Sequence, residues 1–204
     1  KMVLEGGSIE VNGTGTLLAT ESCLLNSNRN PTLDKSEIEN RLCNYLGVTN
    51  IVWLKEGIAG DDTDGHIDDI ARFVDTQTVI IAVEENPADE NHTPLQANLE
   101  RLRSVRTEKD SPLEIIELPM PGAVELNGER LPASYANFYI GNKTVLVPTF
   151  SDPKDAVAQE ILQRCYPKKQ IAPIDSRILV KGQGGVHCLT QQQPKNSNSK
   201  CRYF

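Results

Sequence analysis

The chain has 204 residues, enough for one substantial domain, and its 38% apolar and 24% charged content is that of an ordinary globular protein. A formal net charge of −7 argues against a nucleic-acid partner and favours a cationic ligand. No apolar run approaches the roughly 18 residues needed to cross a bilayer, and the first residues lack the pattern of a signal peptide, so a cytoplasmic protein without membrane contact is expected. Five scattered cysteines, none at zinc-ligand spacing, indicate reduced thiols rather than a disulfide framework.

In chain order, a hairpin is predicted over 7–20 with Asn12-Gly13 as its turn signal. A helix over 34–46 follows, with Ile38, Leu42, Tyr45 and Leu46 on one face and Gly47 as the stop. Residues 51–54 read as a short buried strand. The same order recurs as a hairpin of 71–74 and 78–84, a helix over 93–105 with Leu95, Leu99 and Leu102 on one face, and a strand at 113–118. A third copy has strands at 137–140 and 144–147, a helix over 153–165 carrying Val157, Ile161 and Leu162, and a weak strand at 170–172.

The second hairpin arms repeat at a spacing of about 60 to 66 residues, within boundary error. The pattern predicts an α/β fold of three ββαβ modules, at about 7–54, 71–118 and 137–172, each burying a helix on its own small sheet. The stretches 55–69 and 119–132 are too rich in breakers to form elements and are candidates for function. A turn at 181–190 and a polar, frayed tail at 195–204 complete the chain.

Five acids and a histidine fall within residues 60–69. A calcium loop is the first alternative to a solvated acidic loop. Aligning Gly65 with the invariant glycine puts Gly60 and Ala71 at ligand positions, so that reading fails at both ends. Neither of the other two histidines has ligand spacing to His66, which argues against a transition metal, and no metal or cofactor is expected. His66 and Asp68 are separated by one residue and share a side in an extended segment, so a histidine and a carboxylate can face one substrate. Three glycines in 182–185 precede His187-Cys188 and permit unusual dihedrals. A thiol at the end of such a turn is a candidate nucleophile, with a buried structural cysteine as the alternative. In an extended segment His187 points away from Cys188. Glu5, before Gly6-Gly7, reads in isolation as a surface acid.

Taken together, Leu4-Glu5-Gly6-Gly7-Ser8-Ile9, Gly60-Asp61-Asp62-Thr63-Asp64-Gly65-His66-Ile67-Asp68, Leu131-Pro132-Ala133-Ser134-Tyr135-Ala136-Asn137-Phe138 and His187-Cys188-Leu189-Thr190-Gln191-Gln192-Gln193-Pro194 resemble the agmatine deiminase family, relatives of bacterial peptidylarginine deiminases. The resemblance covers nearly the whole chain, 1–194. It implies a pseudo-fivefold α/β propeller of which this chain holds about three modules, as the C-terminal part of a longer enzyme. It also implies Cys188 as nucleophile, His66 as general acid/base and Glu5 as the carboxylate orienting His66. Asp68 becomes the guanidinium anchor, with Asp62 and Gly185 as further substrate-binding positions. The activity implied is hydrolysis of agmatine, a small cationic guanidine, through a covalent thiouronium. Deimination of peptidyl-arginine and a cation-binding module without turnover are the alternatives, and a homo-oligomer is compatible with any of them. Gln183 departs from the family's more continuous glycine run.

Overall fold

A computed structural model describes residues 1–193; the tail predicted at 195–204 and Cys201 lie outside the described residues. The described residues are α/β, with three three-stranded sheets that each join an antiparallel hairpin to a parallel third strand. In the first, β1 (Glu10–Val11), β2 (Thr16–Thr20) and β3 (Asn50–Leu54) are laid side by side. A short helix α1 (Glu21–Leu24) and the long helix α2 (Lys35–Leu46) connect β2 to β3. In the second, β4 (Ala71–Phe73) and β5 (Thr78–Val83) lead through α3 (His92–Ser104) to β6 (Glu114–Pro119). A two-stranded ribbon, β7 (Glu125–Leu126) and β8 (Glu129–Arg130), interrupts the next connection. The third sheet takes β9 (Tyr139–Ile140), β10 (Thr144–Thr149) and, after α4 (Asp155–Cys165), β11 (Gln170–Asp175).

Local chemistry explains the element ends. Asp34 accepts the Glu37 N–H while the Glu37 carboxylate accepts the Asp34 N–H, at 2.8 and 2.9 Å, closing a capping box on α2. Gly47, at φ 68°, ends the helix in the left-handed conformation. Pro148 is tolerated in the central strand β10 because β9 pairs only with Val145 and Leu146, leaving the N–H side beyond them free.

The central strands β2 and β5 are buried on both faces, whereas β10 buries Val145 and Val147 and leaves Leu146 half-buried. Leu18 packs into the large core shared by the second and third sheets, while Leu17 and Ala19 meet Ile38 and Leu42 of α2 in a smaller core with Trp53. Leu95, Leu99 and Leu102 are buried as their spacing predicts. The stripe on α2 is narrower than the periodicity suggests: Tyr45 is 84% exposed and instead walls a shallow groove with Met2 and Leu4. On α4, Ala158 and Leu162 make the buried contact and Val157 is exposed. The 119–132 stretch contains an element after all. Asn127 and Gly128, both at positive φ, form a hairpin turn between β7 and β8.

Candidate functional site

Loops from the three sheets meet around a cavity of about 660 Å³ whose wall includes Glu5, His66, Asp68, Arg72, His187 and Cys188. The acidic loop leading into it is folded by its own backbone. One Asp61 oxygen accepts from the Thr63 N–H and hydroxyl, and the other from the Gly65 and His66 N–H groups at 2.9 and 3.2 Å. That turn delivers His66 to the start of a 3-10 turn over Ile67–Asp69. His66 and Asp68 do reach the same side, but through this turn rather than an extended strand. Gly7 is where both rest: a Cβ there would lie 2.6 Å from His66 Nδ1 and 2.9 Å from Asp68 Oδ2.

Glu5 is not an isolated surface acid. Arg29, whose side chain is nearly buried, places its Nε 2.7 Å from Glu5 Oε1 and its Nη1 2.7 Å from Asp64 Oδ2, and donates to the Thr63 carbonyl. Burial pushes the Glu5 carboxyl up, but the Arg29 hydrogen bond and charge hold it below its ordinary range. His66 Nε2 lies 3.6 Å from Glu5 Oε1, close enough for electrostatic orientation and too long for a good hydrogen bond. His66 Nε2, Glu5 Oε2 and Asp68 Oδ1 are all buried without a hydrogen-bond partner among the described residues. Such atoms in a native fold call for an explanation, and a polar ligand supplies one.

Cys188 enters from the opposite side on a 3-10 turn over His187–Leu189. Because this segment is a turn and not extended, His187 points into the site, contrary to the sequence expectation. Its Nδ1 sits 2.7 Å from Asp68 Oδ2. Cys188 Sγ lies 3.6 Å from the same oxygen and accepts from Asn137 Nδ2 at 3.2 Å. Asn137 Oδ1 and the Asn137 carbonyl both accept from the His187 N–H, at 2.8 and 3.1 Å. Although Cys188 remains open to the cavity, its thiol is desolvated where it meets protein, and the Asp68 and Asp69 charges add to that. Together they push its pKa up to about 12. Asp69, buried, is raised well above the carboxylate range by desolvation and then by the Asp68 and Asp61 charges.

Of the residues expected from sequence, Cys188, His66, Glu5 and Asp68 converge, whereas Asp62 and Gly185 do not line the cavity. Asp62 is exposed on the outer side of its loop. Gly185 is packed against the Asn137 side chain, where a Cβ would collide with Oδ1, so its place is behind the thiol turn. Arg29 and Arg72 escaped the sequence reading, and Asn137 entered it within a motif but without a role, because their partners lie 24 to 66 residues away. Among the described residues, two triads, Glu5–Cys23–His66 and Asp68–Asp69–Cys188, each bring their ligand atoms within 4.8 Å of one another. In each, one carboxylate oxygen is also held by an ion pair, Glu5 Oε1 by Arg29 and Asp68 Oδ2 by His187.

The family model for Porphyromonas-type peptidyl-arginine deiminase matches residues 1–194. A curated relative from Legionella pneumophila is 44% identical over 196 residues, covering 96% of this chain and 57% of that protein. The agmatine deiminase of Pseudomonas fluorescens is 43% identical over 210 residues, covering 94% of this chain and 57% of its own. Among solved structures, the agmatine deiminase of Enterococcus faecalis is 36% identical, with a TM-score of 0.91 over 95% of this chain and 58% of that one. The chain thus spans little more than half the length of the curated relatives it matches. With one model covering it almost end to end, and the motif residues Glu5, His66, Asp68 and Cys188 gathered at one cavity, the chain belongs to the Porphyromonas-type peptidyl-arginine deiminase family.

Proposed function

We propose that the protein hydrolyses the guanidinium group of agmatine to N-carbamoylputrescine and ammonia, with Cys188 as nucleophile. One observation carries the reading. A thiol sits at a cavity 3.6 Å from Asp68 Oδ2, the oxygen that His187 holds, while the other Asp68 oxygen and His66 Nε2 are buried without a hydrogen-bond partner among the described residues. A cation with several N–H donors satisfies Asp68, and burying it beside carboxylates in fixed geometry orients its carbon for attack. The cation also opposes the charges that hold the Cys188 proton in place, so substrate binding itself favours the thiolate.

In the reaction, Sγ bonds to the guanidinium carbon, and His66 takes up the thiol proton. His66 then donates that proton to a terminal nitrogen, the C–N bond breaks, and ammonia leaves a thiouronium on Cys188. Water attacks this carbon as His66 accepts its proton. The C–S bond breaks, returning the thiol and releasing the ureido product. Glu5, fixed by Arg29, orients the His66 ring.

Support for agmatine as substrate comes from relatives that bear that name and from the substrate-bound agmatine deiminase of C. jejuni, 37% identical at a TM-score of 0.85. The name of the matching family supports peptidyl-arginine as the second candidate. We further read residues 1–194 as one partial deiminase domain whose three sheets are blades of a pseudo-fivefold propeller. No helix among the described residues is long and apolar enough to cross a membrane. Four free thiols among those residues suit the reducing cytoplasm.

The test is ureido-product formation from agmatine and from peptidyl-arginine, by this chain and by a form spanning the full length of its relatives. Cys188→Ala abolishes product in any active form while the circular dichroism spectrum is retained. Turnover of Cys188→Ala near the wild-type rate would remove Cys188 from the mechanism, and product from the peptide alone would transfer the assignment to peptidyl-arginine.

A further inference from the structure

Arg72, on β4, is 2% exposed and borders the cavity, yet the mechanism above gives it no task. Its Nε lies 2.9 Å from Glu10 Oε2 on β1, and Glu10 Oε1 accepts the Phe73 N–H at 3.0 Å. Its Nη1 donates to the Phe138 carbonyl at 2.7 Å and, more weakly, to the Ala136 carbonyl at 3.4 Å. The guanidinium lies 4.9 Å from the Phe138 ring centroid. Those two carbonyls flank Asn137, whose side chain donates to Cys188 Sγ and accepts from the His187 N–H.

We infer that the buried Glu10–Arg72 pair is a positioning device for Cys188, acting through the peptide of Asn137. The inference rests on the proposed role of Cys188 as nucleophile. A buried ion pair is a weak source of net stability and can be matched by apolar packing. What a planar guanidinium supplies instead is geometry, with donors at fixed angles to a carboxylate on one side and carbonyls on the other, which a lysine cannot reproduce. Arg72 thereby ties the first and second sheets to the segment that enters the third, and sets where the Asn137 amide meets the sulfur. Glu10 has a second effect: it neutralises a fixed cation at the wall of a cavity assigned to a cationic ligand.

The test uses 2-chloroacetamidine, a small cationic amidine whose chloride Sγ displaces to form a thioether, with the modified cysteine located by peptide mass spectrometry. Saturation kinetics separate the affinity for the amidine, KI, from the maximal labelling rate, kinact. Arg72→Lys lowers kinact about tenfold or more, the order expected for losing a charge-assisted hydrogen bond, while KI stays within twofold because Asp68 is untouched. Glu10→Gln gives a smaller fall in kinact and carries the test if Arg72→Lys does not fold. A kinact unchanged in both variants overturns the inference, as does a loss explained by the unfolded fraction alone. Wild-type protein whose Cys188 resists both this probe and iodoacetamide removes the nucleophile and the inference together. An effect on kinact without any deimination of agmatine or peptidyl-arginine leaves the positioning role standing and removes the proposed activity.

Discussion

The imidazole of His187 lies 2.7 Å from a carboxylate oxygen of Asp68, although the two residues are 119 positions apart and belong to different turns. With Asp68 ionised, Nδ1 is the donor. Asp68 is fully buried, and this contact fixes one of its oxygens while leaving the other without a partner and available to a cation. The adjacent residue of the nucleophile turn therefore aims the proposed anchor. His187→Ala frees the carboxylate to rotate and leaves it under-satisfied, and we expect KM for the cationic substrate to rise by about tenfold, the scale of one hydrogen bond to a charged group. His187→Asn retains a donor and loses less. Steady-state kinetics on the two variants check this, and an unchanged KM in His187→Ala would show that Asp68 holds its position without help.

A glycine can be tested for the same site without touching any group assigned to chemistry. Gly7 lies under both His66 and Asp68, and a methyl group there would displace them, since a Cβ would sit 2.6 Å from the ring and 2.9 and 3.0 Å from the carboxylate oxygens. Gly7→Ala moves the two groups relative to Cys188, and misplacement on this scale costs about a hundredfold in rate. Gly6→Ala is the internal control, because a Cβ there meets only the Gln191 amide oxygen at 3.9 Å. Comparison of kcat between the two variants is the measurement. Equal activity would mean that the close packing at Gly7 relaxes at no cost to the site.

The parts of this protein that were legible in its sequence are those governed by short-range rules. Apolar runs marked β2, β5 and β10, and the spacing of Ile38 and Leu42 with the Gly47 stop marked α2, because periodicity and capping act over one or two turns. Cys188 could be singled out by its glycine-rich approach. The direction of His187 could not, since extended and 3-10 backbones send a side chain to different sides and the sequence does not choose between them. The roles of Arg29, Arg72 and Asn137 were hidden for another reason: an arginine or asparagine carries no local mark of being buried, and only the closing of distant loops gives each its partners. Tyr45 shows the converse, a residue at core spacing that the fold leaves in solvent.

The last prediction concerns how the first sheet is tied to the second. Glu108, at the surface in the loop after α3, accepts the Thr16 hydroxyl at 2.7 Å and an Asn12 amide hydrogen at 3.0 Å, while its own N–H donates to Thr16 Oγ1 at 3.0 Å. Hydrogen bonds from Thr16, then Thr14, then Asn12 hold its carboxyl down at about 2, against an ordinary value of 4.5. Because the folded value is the lower one, the ionised group favours the folded state. That contribution is complete above the unfolded value near 4.5 and is lost as pH falls through the interval down to about 2. Glu108→Gln therefore lowers the urea midpoint at pH 7 but narrows the gap from wild type as the pH is taken from 5 to about 2.5. Midpoints measured across that interval check the sign. A wild-type and variant difference that stays constant with pH would show that the threonine hydroxyls hold the neutral carboxyl as well as the carboxylate.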